Sequence, residues 1–252
     1  MATAAQSENR IEIGRTISRG FEAIGHHLPA YALVALLLAG LPGFLATYLF
    51  LGEWSDAGDF GAFGSLSYLA TFFLSMLTGA LMQAIIMRSA ILTLSGRPAD
   101  IGASVAGAFR LILPLVGLSI LTSLMIGIGL ILLIVPGIIA WVALSVSVPV
   151  LVEEGRSVTE SMERSADLTE GSRWRIFLLL LIFTFAYILL AAFVGGGAIA
   201  LGWENGLLQA GADAIIAALS GLLMAAMIAG LYVELRTVKE GATAETLASI
   251  FE

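Results

Sequence analysis

Residues 111–152 read LILPLVGLSILTSLMIGIGLILLIVPGIIAWVALSVSVPVLV, 42 positions from Leu111 to Val152 without one charged side chain. At 1.5 Å per residue a single helix of that length would run about 63 Å, twice the ~30 Å hydrocarbon core of a bilayer. The run must therefore fold back. Pro136-Gly137 is where the residues place the hairpin turn, because proline stops a helix and glycine supplies the reversal. One span then covers about 111–135 and the next about 138–152. The second is only about 22 Å long, so it is expected to extend into Glu153 or to thin the bilayer locally.

Outward from this stretch the same reading finds four more spans, at about 29–51, 64–87, 176–201 and 211–233. The composition agrees. Of 252 residues, 59% are hydrophobic and 12% charged, against roughly 25% charged in soluble domains. The mean hydropathy is +0.98. A soluble enzyme could not bury that much apolar surface, and a disordered chain would be rich in charge instead. The absence of cysteine excludes disulfides, thiolate metal sites and a cysteine nucleophile. A net charge of −7 argues against a nucleic-acid partner. The first 28 residues are polar and the apolar run after them is span length, so no cleaved signal peptide is expected.

Six spans place both termini on one side. Segments 1–28, 88–110, 153–175 and 234–252 hold all 12 Lys and Arg residues; 52–63, 136–137 and 202–210 hold none. The positive-inside rule makes the basic side, and both termini, cytoplasmic. In a bacterium that is the inner membrane. Tyr48, Trp54, Trp141 and Trp203 fall near the outer boundary and Tyr31, Trp174 and Tyr232 near the inner one, as interfacial aromatic belts do.

The expected fold is all-α, a single domain of six spans arranged as three hairpins. A cytoplasmic interfacial amphipathic helix precedes each hairpin. Residues 11–28 show an apolar stripe of Ile13, Ile17, Phe21 and Ile24. Residues 98–110 start at Pro98 and carry Ile101, Val105, Ala108 and Phe109. Residues 157–170 open with Ser157 and Glu160, a capping-box pair, and carry Val158, Met162 and Leu168. Gly171 can end that helix. A weaker fourth stripe has Leu247 and Ile250, and Ser-Gly96-Arg97, Glu-Gly155-Arg156 and Glu-Gly241-Ala242 echo one another.

Polar residues inside the spans are few. Asp213 opens the sixth, where an outer-interface position is expected. Ser75, Thr78 and Gln83, then Ser119, Thr122 and Ser123, then Ser145 and Ser147 could line a solute path, but interhelical hydrogen bonding explains Ser and Thr in spans without any substrate and is the preferred reading. Gly221, Ala225 and Ala229, with Ala226 and Gly230, form small-residue stripes for close helix packing. His26-His27 lack the companions a metal site needs. No hydrolase or nucleotide motif appears, so neither a catalytic residue nor a cofactor is assigned. Arg173-Trp174-Arg175, with Arg164 nearby, has the make-up of a lipid-headgroup contact.

Val135-Pro136-Gly137, Leu144-Ser145-Val146-Ser147-Val148-Pro149, Glu154-Gly155-Arg156-Ser157-Val158, Arg164-Ser165, Leu168-Thr169, Gly171 and Trp174-Arg175 together resemble the membrane domain attached to some bacterial glycerophosphoryl diester phosphodiesterases and the related YciC-type inner-membrane proteins. Tyr232-Val233-Glu234-Leu235-Arg236 is a second point of similarity, and Ala166 departs from the aromatic residue expected there. In the fused relatives the hydrolase is a separate soluble domain. The resemblance therefore implies a membrane module without phosphodiesterase chemistry of its own. The function expected is non-enzymatic: lipid binding or scaffolding in envelope homeostasis, with membrane lipids, a membrane-protein partner or a second copy as partners. The alternative is a transporter or channel for a small or amphiphilic solute.

Overall fold

Proline decides where the helices break. The computed structural model describes residues 11–51, 62–200 and 206–248, with side chains at 11–48, 69–197 and 207–241. Trp54, Trp203, Glu53, Asp56, Asp59, Glu204 and Ile250 lie outside the described residues, and the side chain of Leu247 outside the described side chains.

Helix α1 (Ile13–Ala35) carries Pro29, and His27 just before it leaves helical geometry at φ −135°, ψ 29°. A π-helical turn, Leu36–Gly40, connects to α2 (Leu41–Leu51). Then come α3 (Ala62–Leu94), α4 (Ile101–Arg110), α5 (Ile112–Leu132), α6 (Ile134–Ala143), α7 (Ser147–Glu154), α8 (Val158–Thr169), α9 (Arg173–Ala200) and α10 (Gly206–Ala248). Among the described residues there is no strand.

Pro136 and Gly137 do not form the turn that the sequence assigns to them. The break is Leu133, a single extended residue at φ −161°, ψ 138°. Pro136 is the third residue of α6, where its missing N–H is one of the four that a helix start leaves unpaired anyway. Gly137 serves close approach instead. A Cβ on Gly129 would sit 2.8 Å from the Gly137 Cα, and one on Gly137 would sit 2.6 Å from the Leu130 backbone nitrogen. Pro149 repeats the arrangement as third residue of α7, following a turn at Leu144–Val146. Its ring would meet the carbonyl of Ser145 if α6 continued unbroken.

Among the described residues six helical stretches are long and apolar enough to cross a membrane: Ile13–Tyr48, Leu69–Leu94, Ile112–Leu132, Ile134–Glu154, Arg173–Gly197 and Leu207–Gly241. This is the make-up of a multi-pass integral membrane protein. The fourth reaches 21 residues by including Glu153 and Glu154.

The chain forms two compact units. The first comprises Met1–His26, Ala84–Leu181 and Ala225–Glu252; the second, His27–Gln83 and Ile182–Met224. The first contains all 12 Lys and Arg residues and the second contains none.

In the first unit, small residues decide the packing of α1. Phe21 is 62% exposed, while Thr16, Gly20 and Ala23 are buried. A Cβ on Gly230 of α10 would lie 2.9 Å from the Thr16 carbonyl oxygen and 3.2 Å from the Gly20 nitrogen. Small residues thus form the closest approach to α10, and of the expected stripe Ile24 is buried, Ile13 and Ile17 are half-buried and Phe21 faces away. In the second unit a Cβ on Gly40 would approach the Ala214 carbonyl to 3.1 Å, another close backbone approach.

Helix α8 turns hydroxyls inward. Ser161, Ser165 and Thr169 are fully buried beside Met162 and Leu168. The Ser165 hydroxyl donates to the Ala143 carbonyl at 2.7 Å and accepts the Val146 N–H at 3.3 Å. Thr169 adds a bond of 3.4 Å to the same carbonyl. Two groups freed by the α6–α7 break are thereby paired, as buried backbone requires. Gly96, Gly155 and Gly171 follow α3, α7 and α8 with φ of 67°, 65° and 81°; Gly241, the third member of the expected echo, stays within α10.

Candidate functional site

The ionic side chains of the first unit converge where α7, α8 and α10 end or pass. Glu154 is the last residue of α7. Its Oε2 accepts Arg156 Nε at 2.6 Å, and its Oε1 accepts the Tyr232 hydroxyl at 3.0 Å and lies 3.5 Å from Arg164 Nε. Arg164 also pairs with Glu240, which Arg236 reaches from one turn away at 2.7 Å. Lys239 Nζ donates to the Asp167 carbonyl at 2.8 Å. Arg97, after α3, pairs with Glu153 at 2.9 Å.

Beside this network lies a cleft of about 400 Å³. Ile91 and Val233 give it apolar surface; Arg97 and Arg236 bring positive charge, and Glu153 and Glu240 negative. The two arginine side chains are 61% and 46% exposed, so each keeps donor capacity beyond its carboxylate partner. Such a cleft can hold a group carrying both signs beside an apolar chain.

A second ionic centre joins α1 to α10. Glu234, 1% exposed, receives Arg15 and Arg19 on its two oxygens. Both arginines sit on α1, so the centre fixes the N-terminal helix.

The expected headgroup residues divide. Arg164 is committed to Glu154 and Glu240. Arg175 donates from Nη1 to the Ile11 carbonyl at 2.6 Å. Trp174 is 70% exposed and stacks on Phe177 with ring centroids 5.4 Å apart. Arg173 is exposed and reaches the Ala166 carbonyl only at 3.4 Å. Tyr31 and Tyr232, placed in an aromatic belt by the sequence, are fully buried. Arg97 and Arg236 were not singled out as site residues, although the Gly96-Arg97 echo and the Tyr232–Arg236 stretch both contain them. Among the described residues no group of His, Cys, Asp or Glu could hold a metal ion.

Residues 65–235 match a family described as a domain of unknown function, DUF7847. The chain belongs to that family. The DUF7847 match takes in Arg97, Glu153, Glu154, Arg164 and Tyr232 but stops short of Arg236 and Glu240 and begins after Arg15 and Arg19. Each ionic centre therefore combines DUF7847 residues with residues beyond the match. No curated protein and no solved structure matches the chain.

Proposed function

We propose that this chain is a non-enzymatic protein of the bacterial inner membrane that binds phospholipid headgroups at its basic end, in envelope lipid homeostasis. Both termini are cytoplasmic in this reading, and the six spans form three hairpins with α4, α8 and the first half of α1 as their interfacial helices. The observation that carries it is the cleft holding Arg97 and Arg236 opposite Glu153 and Glu240 over apolar Ile91 and Val233. Arginine suits a phosphate oxygen, the carboxylates suit an ammonium, and the apolar wall suits an acyl chain. The balance of signs favours a zwitterionic headgroup. Exposed Trp174 and Arg173 supply a second, peripheral contact with the interface. The likeness of 132–175 to the membrane domains of the phosphodiesterase-linked and YciC-type proteins supports the same class of role, since those domains are membrane modules apart from the hydrolase. A scaffolding role toward a membrane-protein partner or second copy fits the same surface.

The Ser and Thr hydroxyls that motivate a transporter are largely used locally. Thr78, Ser119, Thr122 and Ser145 donate to carbonyls of their own helix or turn, whereas the buried Ser147 hydroxyl has no hydrogen-bond partner among the described residues. Native mass spectrometry of the detergent-extracted protein tests the lipid reading. Wild type is expected to retain phospholipid, the Arg97→Ala/Arg236→Ala variant to lose most of it, and Arg173→Ala to lose less. Equal retention by wild type and the double variant, or a lipid-free wild type, overturns it.

A further inference from the structure

The second unit contains no Lys or Arg in its entire sequence, yet it holds a carboxylate at a cavity. The cavity, about 420 Å³, lies between α2, α9 and α10. Ala46, Val194 and Ile216 are among its apolar walls. Asp213, Thr47, Gln209 and Tyr187 are its polar lining. The bond to Asp213 seen among the described residues is from the Thr47 hydroxyl, at 3.3 Å, long for an O–H donor to a carboxylate. Asp213 lies two turns into α10 and within an apolar stretch of spanning length.

A carboxylate within an apolar stretch of spanning length favours a cationic partner. The unit's own sequence offers neither lysine nor arginine for it. We infer that this cavity is a binding site for an organic cation: a protonated amine or quaternary ammonium group, seated on Asp213, with an apolar body against the alanine and valine walls. Three features set the class. The volume falls in the 300–1,000 Å³ range of small-molecule sites and is far larger than a bare ion needs. One carboxylate, two hydroxyls and one amide offer five side-chain oxygens, fewer than the six to eight that calcium takes. Tyr187 adds an aromatic ring, and ring faces attract ammonium groups. The site is independent of the headgroup cleft, whose residues all belong to the first unit.

The test is equilibrium binding of benzyltrimethylammonium to the full-length protein in detergent, with benzoate as the anionic control. Wild type is expected to bind the cation and not benzoate. Asp213→Asn, nearly the same shape, should weaken binding at least ten-fold while thermal unfolding stays close to wild type. Tyr187→Leu should weaken it by a smaller factor. Arg97→Ala/Arg236→Ala should bind as wild type does, which separates this site from the headgroup cleft. Unchanged binding in Asp213→Asn, no binding to wild type at millimolar concentration, or stabilisation by sodium but not by the probe would each overturn the assignment.

Discussion

Arg15 sets both Nε and Nη2 on one oxygen of Glu234, at 2.7 and 2.6 Å. Arg19 takes the other oxygen at 2.6 Å. The carboxylate is 1% exposed, whereas the arginine side chains are 43% and 25% exposed. Removing the buried partner leaves two guanidinium groups facing an uncharged site. Breaking a buried pair costs about 3–5 kcal/mol, and the partial exposure of the arginines puts Glu234→Gln near the lower end. Arg15→Ala should cost about 1 kcal/mol or less, because Arg19 remains and Arg15 is the more exposed. Thermal unfolding in detergent compares the two. Equal losses would mean that the carboxylate is not the centre of the cluster.

Ser165 bridges the two ends of the α6–α7 break. Ser165→Ala leaves the Val146 N–H without its partner and weakens the pairing of the Ala143 carbonyl, which keeps only the 3.4 Å bond from Thr169. An unpaired buried donor costs about 1–3 kcal/mol. Ser161→Ala is the control, since its equally buried hydroxyl donates only to Ser157 of its own helix start. Denaturant unfolding should show the larger loss for Ser165→Ala. Similar losses would show that the bridge contributes no more than an ordinary helix hydroxyl.

The proline–hydroxyl logic shows what the sequence made legible. The 42-residue uncharged run required a break, and proline identified the neighbourhood. The exact site is Leu133 and not Pro136, because proline is tolerated in the first turn of a helix and interrupts only the helix before it. At Leu133 and Val146 alike, the break falls three residues before a proline that sits inside the first turn of the next helix. The capping pair Ser157 and Glu160 was readable because its spacing is local. The inward face of α8 was harder to read, because Ser165 and Thr169 share the helical spacing of Val158 and Met162 but carry hydroxyls, and only the broken backbone opposite explains why they are buried. Arg97 and Arg236 were hidden for a related reason. They are 139 positions apart in sequence, and only the fold places them on one cleft.

Gly129 and Gly137 let α5 and α6 approach with almost no space between backbones. Gly137→Val would drive a side chain into the Leu130 backbone nitrogen, 2.6 Å from the Cβ position. Overpacking of this kind costs about 1–3 kcal/mol, and a backbone obstacle has less room to yield than a flexible side chain. Gly127→Ala is the contrast. Nothing lies within 4 Å of its Cβ, and alanine favours a helix over glycine by up to about 1 kcal/mol. Unfolding temperatures should fall for Gly137→Val and hold or rise for Gly127→Ala. A fall in both would point to general intolerance of the helix pair rather than to the crossing.

The Glu160 carboxylate accepts the Ser157 N–H at 3.0 Å and the Ser157 hydroxyl at 2.7 Å. These bonds favour the ionised form and hold the carboxyl below its ordinary value of 4.5. Because the folded value is the lower one, the unfolded chain binds the proton first as pH falls. The contribution of the capping box is therefore complete above the unfolded value, near 4.5, and is lost as pH falls through the lowered folded value. The stability difference between wild type and Glu160→Gln should be constant from pH 7 to pH 5 and should shrink below pH 4.5. Measuring unfolding of both proteins across pH 3–7 checks this directly. A difference that stays constant through the acid range would mean that the ionised carboxylate caps α8 no better than a neutral amide does.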